Sequence, residues 1–274
     1  MIGQREPEVF SRQNPRFKAA LALRDAKERR SRNLILVDGA REIGRALDCG
    51  VQPVEAWVAI ERLRGAAAQA LLPRLATAAQ LIETTPELLS RLAYGDRDEG
   101  IVAVFEKPPS DLERLGQALP ENALVAVMER VEKPGNLGAL LRSADGAGVD
   151  AVIAADPISD IWNPNAIRAS LGTIFSTPVA TCTSAEALAF LGAHDVAVLA
   201  ARVEGAADYD QVDLTGSVAL VVGAETAGLT SVWSGEGVTP VAIPMAGLAD
   251  SLNVSASAAV LFYEARRQRR AAAR

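Results

Sequence analysis

Three short runs in the second half of the chain carry residue types that can hold a ligand and do chemistry. Asn136-Leu137-Gly138-Ala139-Leu140-Leu141-Arg142 offers an amide and a guanidinium, with Gly138 one helical turn ahead of Arg142 and on the same side. A small residue at that spacing leaves room for a backbone or a ligand beside the guanidinium; the plain alternative is an exposed arginine on an amphipathic helix. Val221-Val222-Gly223-Ala224-Glu225-Thr226-Ala227-Gly228-Leu229 is an apolar run opening into a loop of small residues. Ile243-Pro244-Met245-Ala246-Gly247 repeats that pattern and leads to Ser251-Leu252-Asn253. Ser251 and Asn253 can supply hydroxyl and amide groups, and Glu225 can orient its neighbours by accepting hydrogen bonds or can cap the next turn.

Other chemistries fit poorly. Gly223 to Thr230 has the GxxxxGxT spacing of a phosphate-cradling loop, but Leu229 stands where the lysine must reach the phosphates. Gly135, Gly138, Gly146 and Gly148 never form GxGxxG in register after a strand, which argues against a nicotinamide oxidoreductase. The chain holds one histidine, His194, and two cysteines, Cys49 and Cys182, without CxxC spacing, so a metal centre, a disulfide framework and histidine-dependent catalysis are not expected.

These runs sit in an alternation of strands and helices. Apolar runs at 124–128, 151–155, 196–200, 218–222 and 238–243 are rich in Val, Ala and Leu, as suits strands buried on both faces of a parallel sheet. Residues 254–270 place Val254, Ala258, Leu261, Phe262 and Ala265 at helical spacing and end in arginines, which favour a helix C-terminus. Upstream, strand patterns at 34–37, 54–60, 80–83 and 101–105 alternate with helical patterns at 41–47, 65–76 and 86–93. A charged, proline-bearing break at 106–111 suggests a division into residues 1–107, a linker at 108–120, and residues 121–274.

Taken as a set and in order, Asn136 to Arg142, the GxExxG of Gly223, Glu225 and Gly228, and the IPMxGxxxSLN from Ile243 to Asn253 resemble the three signature motifs of the SpoU (TrmH-like) RNA ribose methyltransferases of the SPOUT superfamily. The resemblance implies an α/β fold with a parallel sheet flanked by helices and a deep trefoil knot, and a homodimer. It implies S-adenosyl-L-methionine as cofactor, held by backbone near Leu199, Ala200, Gly223, Ala224, Gly228, Ile243, Met245, Leu252 and Asn253. It implies catalytic roles for Asn136, Arg142, Glu225, Ser251 and Asn253. Methyl transfer from a sulfonium requires in-line positioning and loss of the hydroxyl proton, not a metal. Arginine, with a pKa above about 12, serves that reaction more readily by binding phosphate than as a base.

Residues 1–107 are similar to the small α/β substrate-binding domain that many members of that family carry. Under that resemblance Arg12, Arg16, Lys18, Lys27, Arg29, Arg30 and Arg32 touch RNA, and Arg142 and Arg168 add phosphate contacts. Arg168 reads equally well as a helix-surface arginine. The net charge of −6 is unevenly spread: residues 1–32 hold nine Lys/Arg against four Asp/Glu, and residues 266–274 hold five Arg and no acid. Such clustering suits phosphate contact or simply exposed basic helices. The N-terminal residues lack the apolar core of a signal peptide, so a cytoplasmic location is expected. The expected activity is methylation of a ribose 2′-hydroxyl in structured RNA, with 23S rRNA favoured over tRNA. The alternative is a non-catalytic RNA-binding ribosome-assembly factor on the same fold.

Overall fold

The computed structural model describes residues 8–94, 99–202, 206–223 and 228–274. In chain order its elements are β1 (Glu8–Val9), α1 (Pro15–Ala22), α2 (Ala26–Arg32), β2 (Leu34–Asp38), α3 (Ala40–Asp48), β3 (Pro53–Val58), α4 (Ala66–Ala78), β4 (Gln80–Thr84), α5 (Pro86–Leu92) and β5 (Ile101–Glu106). There follow α6 (Leu112–Ala118), β6 (Leu124–Glu129), α7 (Pro134–Ala147), β7 (Ala151–Ala155), α8 (Pro164–Ala169), β8 (Val179–Cys182) and α9 (Ser184–Ala193). The last are β9 (Ala197–Ala201), β10 (Ala207–Asp208), β11 (Val218–Val222), β12 (Val238–Ala242) and α10 (Val254–Ala272). They gather into two compact units, one of Met1–Pro108 with Trp162–Ser176, the other of Pro109–Ile161 with Thr177–Arg274.

The first unit is a mixed five-stranded sheet in the order β1-β4-β3-β5-β2. Its apolar core sets Phe17 of α1 edge-on to Trp57 of β3, with ring centroids 6.0 Å apart. The segment Trp162–Ser176, which lies between β7 and β8 in the sequence, packs here through α8 against β2. Arg168 donates to Asp38 Oδ2 at 3.1 Å, and Arg45 donates to the Leu171 carbonyl at 2.7 Å. Asp38 also accepts the Tyr94 amide at 2.8 Å. Burial pushes the Asp38 carboxyl up to about 6, with the Tyr94 amide and the Arg168 guanidinium pulling the other way.

The second unit is a seven-stranded sheet in the order β10-β12-β9-β11-β6-β7-β8, with every neighbouring pair parallel. All residues of β6, β7 and β11 are buried, as strands covered on both faces must be. The face bearing Val125, Val127, Ala219 and Val221 receives Leu115 of α6 and Leu191 of α9. Helices α7 and α10 pack on each other, and α10 lies on β11.

Some sequence expectations shift. The stretch read as a linker contains α6, whose Leu115 is buried in the second unit's core. The strand expected at 54–60 ends at Val58, and Ile60 begins a short 3-10 turn. Strands β8 and β10 were not expected, because runs of four and two residues show no periodicity to read. Among the described residues no helix is long and apolar enough to cross a membrane.

Because the folded state raises the Asp38 pKa, it holds that proton more tightly than the unfolded chain, so stability falls as pH climbs from about 4 through about 6. Between pH 4 and 7 the urea stability of the wild-type protein should drop relative to Asp38→Asn by up to about 3 kcal/mol. A difference that is flat in pH, or that grows in favour of the wild type, contradicts a buried carboxyl held near pH 6.

Candidate active site

Strands β12, β9 and β11 lie side by side in parallel, with Val221 opposite Ala200 and Val241 opposite Ala201. Their C-terminal ends therefore finish level, and three loops leave the sheet from one edge, the place where open parallel sheets bind ligands. A cavity of about 710 Å3 opens there, within the range of small-molecule sites. Ala201 and Arg202 line it after β9, Gly223, Gly228 and Leu229 after β11, and Ile243, Pro244 and Met245 after β12. Ser251 and Leu252, just before α10, line its rim, while Asp208 and Asp250 place two carboxyl groups in a mixed polar and apolar wall.

Two glycines let the chain draw so close. A Cβ on Gly223 would lie 2.8 Å from Leu229 Cδ2 and 2.9 Å from the Gly228 backbone, closer than real side chains approach. Gly228 has φ +62, a left-handed conformation that suits glycine.

A carboxyl group holds this loop from below. Glu129, fully buried at the end of β6, accepts from Ser184 Oγ at 2.6 Å, from the Thr230 amide at 2.7 Å and from Thr230 Oγ1 at 2.6 Å. Ser184, the first residue of α9, also donates its amide to Asp156 at 3.0 Å, and the Ser184 hydroxyl and amide beside it hold the Asp156 carboxyl below its usual range. The ends of β6 and β7, the start of α9 and the loop after β11 are thereby tied into one network. Arg202 adds a strut, donating to the Trp233 carbonyl at 3.1 Å and to Ser234 Oγ at 2.6 Å. The motif reading missed Glu129; its only signal is an acid ending an apolar strand.

The structure brings the first and third motifs together. Asn253 caps α10 by accepting from the Ser255 amide at 3.0 Å and Ser255 Oγ at 2.6 Å, and its Nδ2 reaches Asn136 Oδ1 at 3.4 Å. Arg142, two turns into α7 from its Pro134 start, is exposed, and its side chain makes no hydrogen bond or ion pair among the described residues. Gly138, one turn earlier, is buried. Leu199 and Ala200 lie buried within β9, and the cavity wall begins one residue later at Ala201. Ala224 and Glu225 lie outside the described residues.

Among the residues expected to meet RNA, Arg12, Lys18, Lys27, Arg30 and Arg32 are exposed. Arg16 pairs with Glu55 at 2.7 Å, and Arg168 pairs with Asp38 as described above. Arg29 is a correction: it is 1% exposed and donates to the carbonyls of Leu23 at 2.8 Å and Arg24 at 2.9 Å, so it anchors the turn between α1 and α2. Charge in the sequence could not separate it from its exposed neighbours.

The SpoU rRNA methylase family model matches residues 123–263, half of the chain, and the MRM3-like substrate-binding domain matches residues 14–103. The chain belongs to the SpoU rRNA methylase family. It is 34% identical, over 97% of its length and 95% of the relative's, to the 23S rRNA (uridine(2479)-2′-O)-methyltransferase of Streptomyces viridochromogenes. A crystal structure of an RNA 2′-O ribose methyltransferase superposes with TM-score 0.83 at 39% identity, covering 96% of this chain and 99% of that one. The SpoU methyltransferase AviRb of Streptomyces viridochromogenes, in complex with the cofactor AdoMet, superposes with TM-score 0.87 at 31% identity over 94% of this chain and 98% of that one.

Removing the Glu129 carboxyl takes the shared acceptor from the buried Ser184 hydroxyl and from the half-buried Thr230 amide and hydroxyl. Glu129→Ala should cost about 3 kcal/mol of stability by urea denaturation. A loss below about 0.5 kcal/mol would mean the network does not hold the loop.

Proposed function

We propose that this protein transfers a methyl group from S-adenosylmethionine to a ribose 2′-hydroxyl of 23S rRNA, in the cytoplasm where ribosomes are assembled. The observation that carries the reading is the meeting of the three motifs at one sheet edge, beside a cavity of about 710 Å3. The donor set fits the cofactor. Gly223 lets the chain pack tightly on Gly228 and Leu229 at the cavity wall, Ile243, Met245 and Leu252 offer apolar walls, and Asp208 and Asp250 suit a ligand carrying positive charge. When bound, S-adenosylmethionine supplies a methyl group already activated on a sulfonium.

The chain's own residues do the positioning, which is most of the work in such a transfer. Asn136 and Asn253 hold one another beside the cavity and fix the angle at which the ribose approaches. Arg142 presents an uncommitted guanidinium that grips an RNA phosphate and keeps the 2′-hydroxyl in place. Ser251 brings a hydroxyl to the cavity rim. Arg12, Lys18 and, at the cost of their internal pairs, Arg16 and Arg168 add phosphate contacts.

The strand order, with β9 between β12 and β11 and three loops leaving one edge, supports the trefoil knot the motifs imply. A homodimer is supported by Leu248, fully exposed at 104%, and by Leu252, 38% exposed at the cavity rim, apolar side chains that a second copy would cover.

Labelled methyl from S-adenosylmethionine should appear in 23S rRNA lacking this modification, at one position whose linkage resists alkaline cleavage. Arg142→Ala should reduce that transfer at least 100-fold while cofactor affinity stays within twofold. Gly223→Ala should do the reverse, weakening cofactor binding at least tenfold by calorimetry. Methyl transfer by Arg142→Ala at the wild-type rate would overturn the role given to that residue. Tight RNA and cofactor binding without any transfer would point to an assembly factor instead.

A further inference from the structure

The five arginines that close the chain do different jobs. Arg269 is turned inward: it donates to the carbonyls of Asn122 at 2.7 Å, Ala123 at 3.1 Å, Leu214 at 3.1 Å and Gly216 at 2.6 Å, fastening the end of α10 to the loops before β6 and β11. The other four line one face. Arg266, Arg267, Arg270 and Arg274, with Gly146 and Tyr263, border a groove of about 540 Å3 between α7 and α10. Arg266 donates to the Gly146 carbonyl, and Arg267 shares Glu264 at 2.7 Å. Arg270 and Arg274 are exposed and make no side-chain hydrogen bond or ion pair among the described residues.

In a chain of net charge −6 this groove gathers four guanidinium groups against one adjacent carboxylate, Glu264 on Arg267, which leaves a local positive excess suited to a polyanion. Tyr263, 52% exposed at the same groove, adds a flat aromatic face. Arginines interleaved with an aromatic ring are the combination that holds single-stranded or looped RNA, phosphates on the guanidiniums and a base on the ring. At 1.5 Å per residue, Arg270 stands about 25 Å along α10 from Asn253, well away from the transfer site.

We propose that this groove is a second RNA-binding surface, gripping an unpaired strand of the ribosomal RNA at a distance from the methylated ribose. It rests on the RNA methyltransferase reading and extends it to a site none of the three motifs touches.

The test compares wild type with Arg270→Ala/Arg274→Ala, measuring affinity for unmodified 23S rRNA transcript between 50 and 200 mM salt. The double variant should bind roughly tenfold more weakly at the low end and lose about 1.5 from the slope of log affinity against log salt, with cofactor affinity unchanged. Arg270→Lys/Arg274→Lys should keep most of the slope, and Tyr263→Ala should lower affinity without changing it. An unchanged slope and affinity in the double variant, in a wild type that binds RNA and transfers methyl, would overturn the groove alone. A smaller oligomer in the double variant by sedimentation would equally overturn it, assigning the face to a second copy of the chain. Absence of RNA binding by the wild type would sink both readings.

Discussion

The site depends on three parallel strands ending level. Because β12, β9 and β11 are in register, their following loops leave one edge together, and each loop end contributes to a single cavity. Parallel strands impose this: their C-terminal ends all face the same way, whereas antiparallel neighbours would scatter the loops to both edges. The closeness of the loops then demands small residues, which is why Gly223 cannot carry a Cβ against Leu229 and Gly228. Glu129 completes the constraint by accepting from three donors beneath the loop after β11, the buried Ser184 hydroxyl and the half-buried Thr230 amide and hydroxyl.

The same register explains the pairing of the amides. Helix α10 starts where the third loop returns, and α7 packs along it, so the N-terminal turns of the two helices meet. Asn253 is then both a helix cap and a neighbour of Asn136, residues 117 apart in sequence. A single side chain thus couples the fold of α10 to the geometry of the site.

Much of this was legible in the sequence. The five strong strands of the second unit are continuous apolar runs, and the glycine, proline and asparagine positions around them carry the motif spacing. What escaped notice depends on contacts between distant residues. Glu129 and Ser184 are far apart in the chain, and nothing local marks them as partners. Arg29 and Arg269 look like their basic neighbours until carbonyls gather around them, whereas the side chains of Arg142 and Arg270 find no partner among the described residues. Residues 162–176 follow β7 in sequence yet pack with the first unit, because Arg168 finds Asp38 and α8 finds β2. Strand β8 is only four residues long and owes its place to β7 beside it.

The most direct measurement of the central claim is a crystal structure of this protein with S-adenosylmethionine bound. The account predicts density for the cofactor in the cavity formed by Gly223, Ile243 and Leu252, with its methyl group turned toward Asn136 and Asn253. Cofactor bound elsewhere, or in this cavity with the methyl directed away from those asparagines, would contradict it.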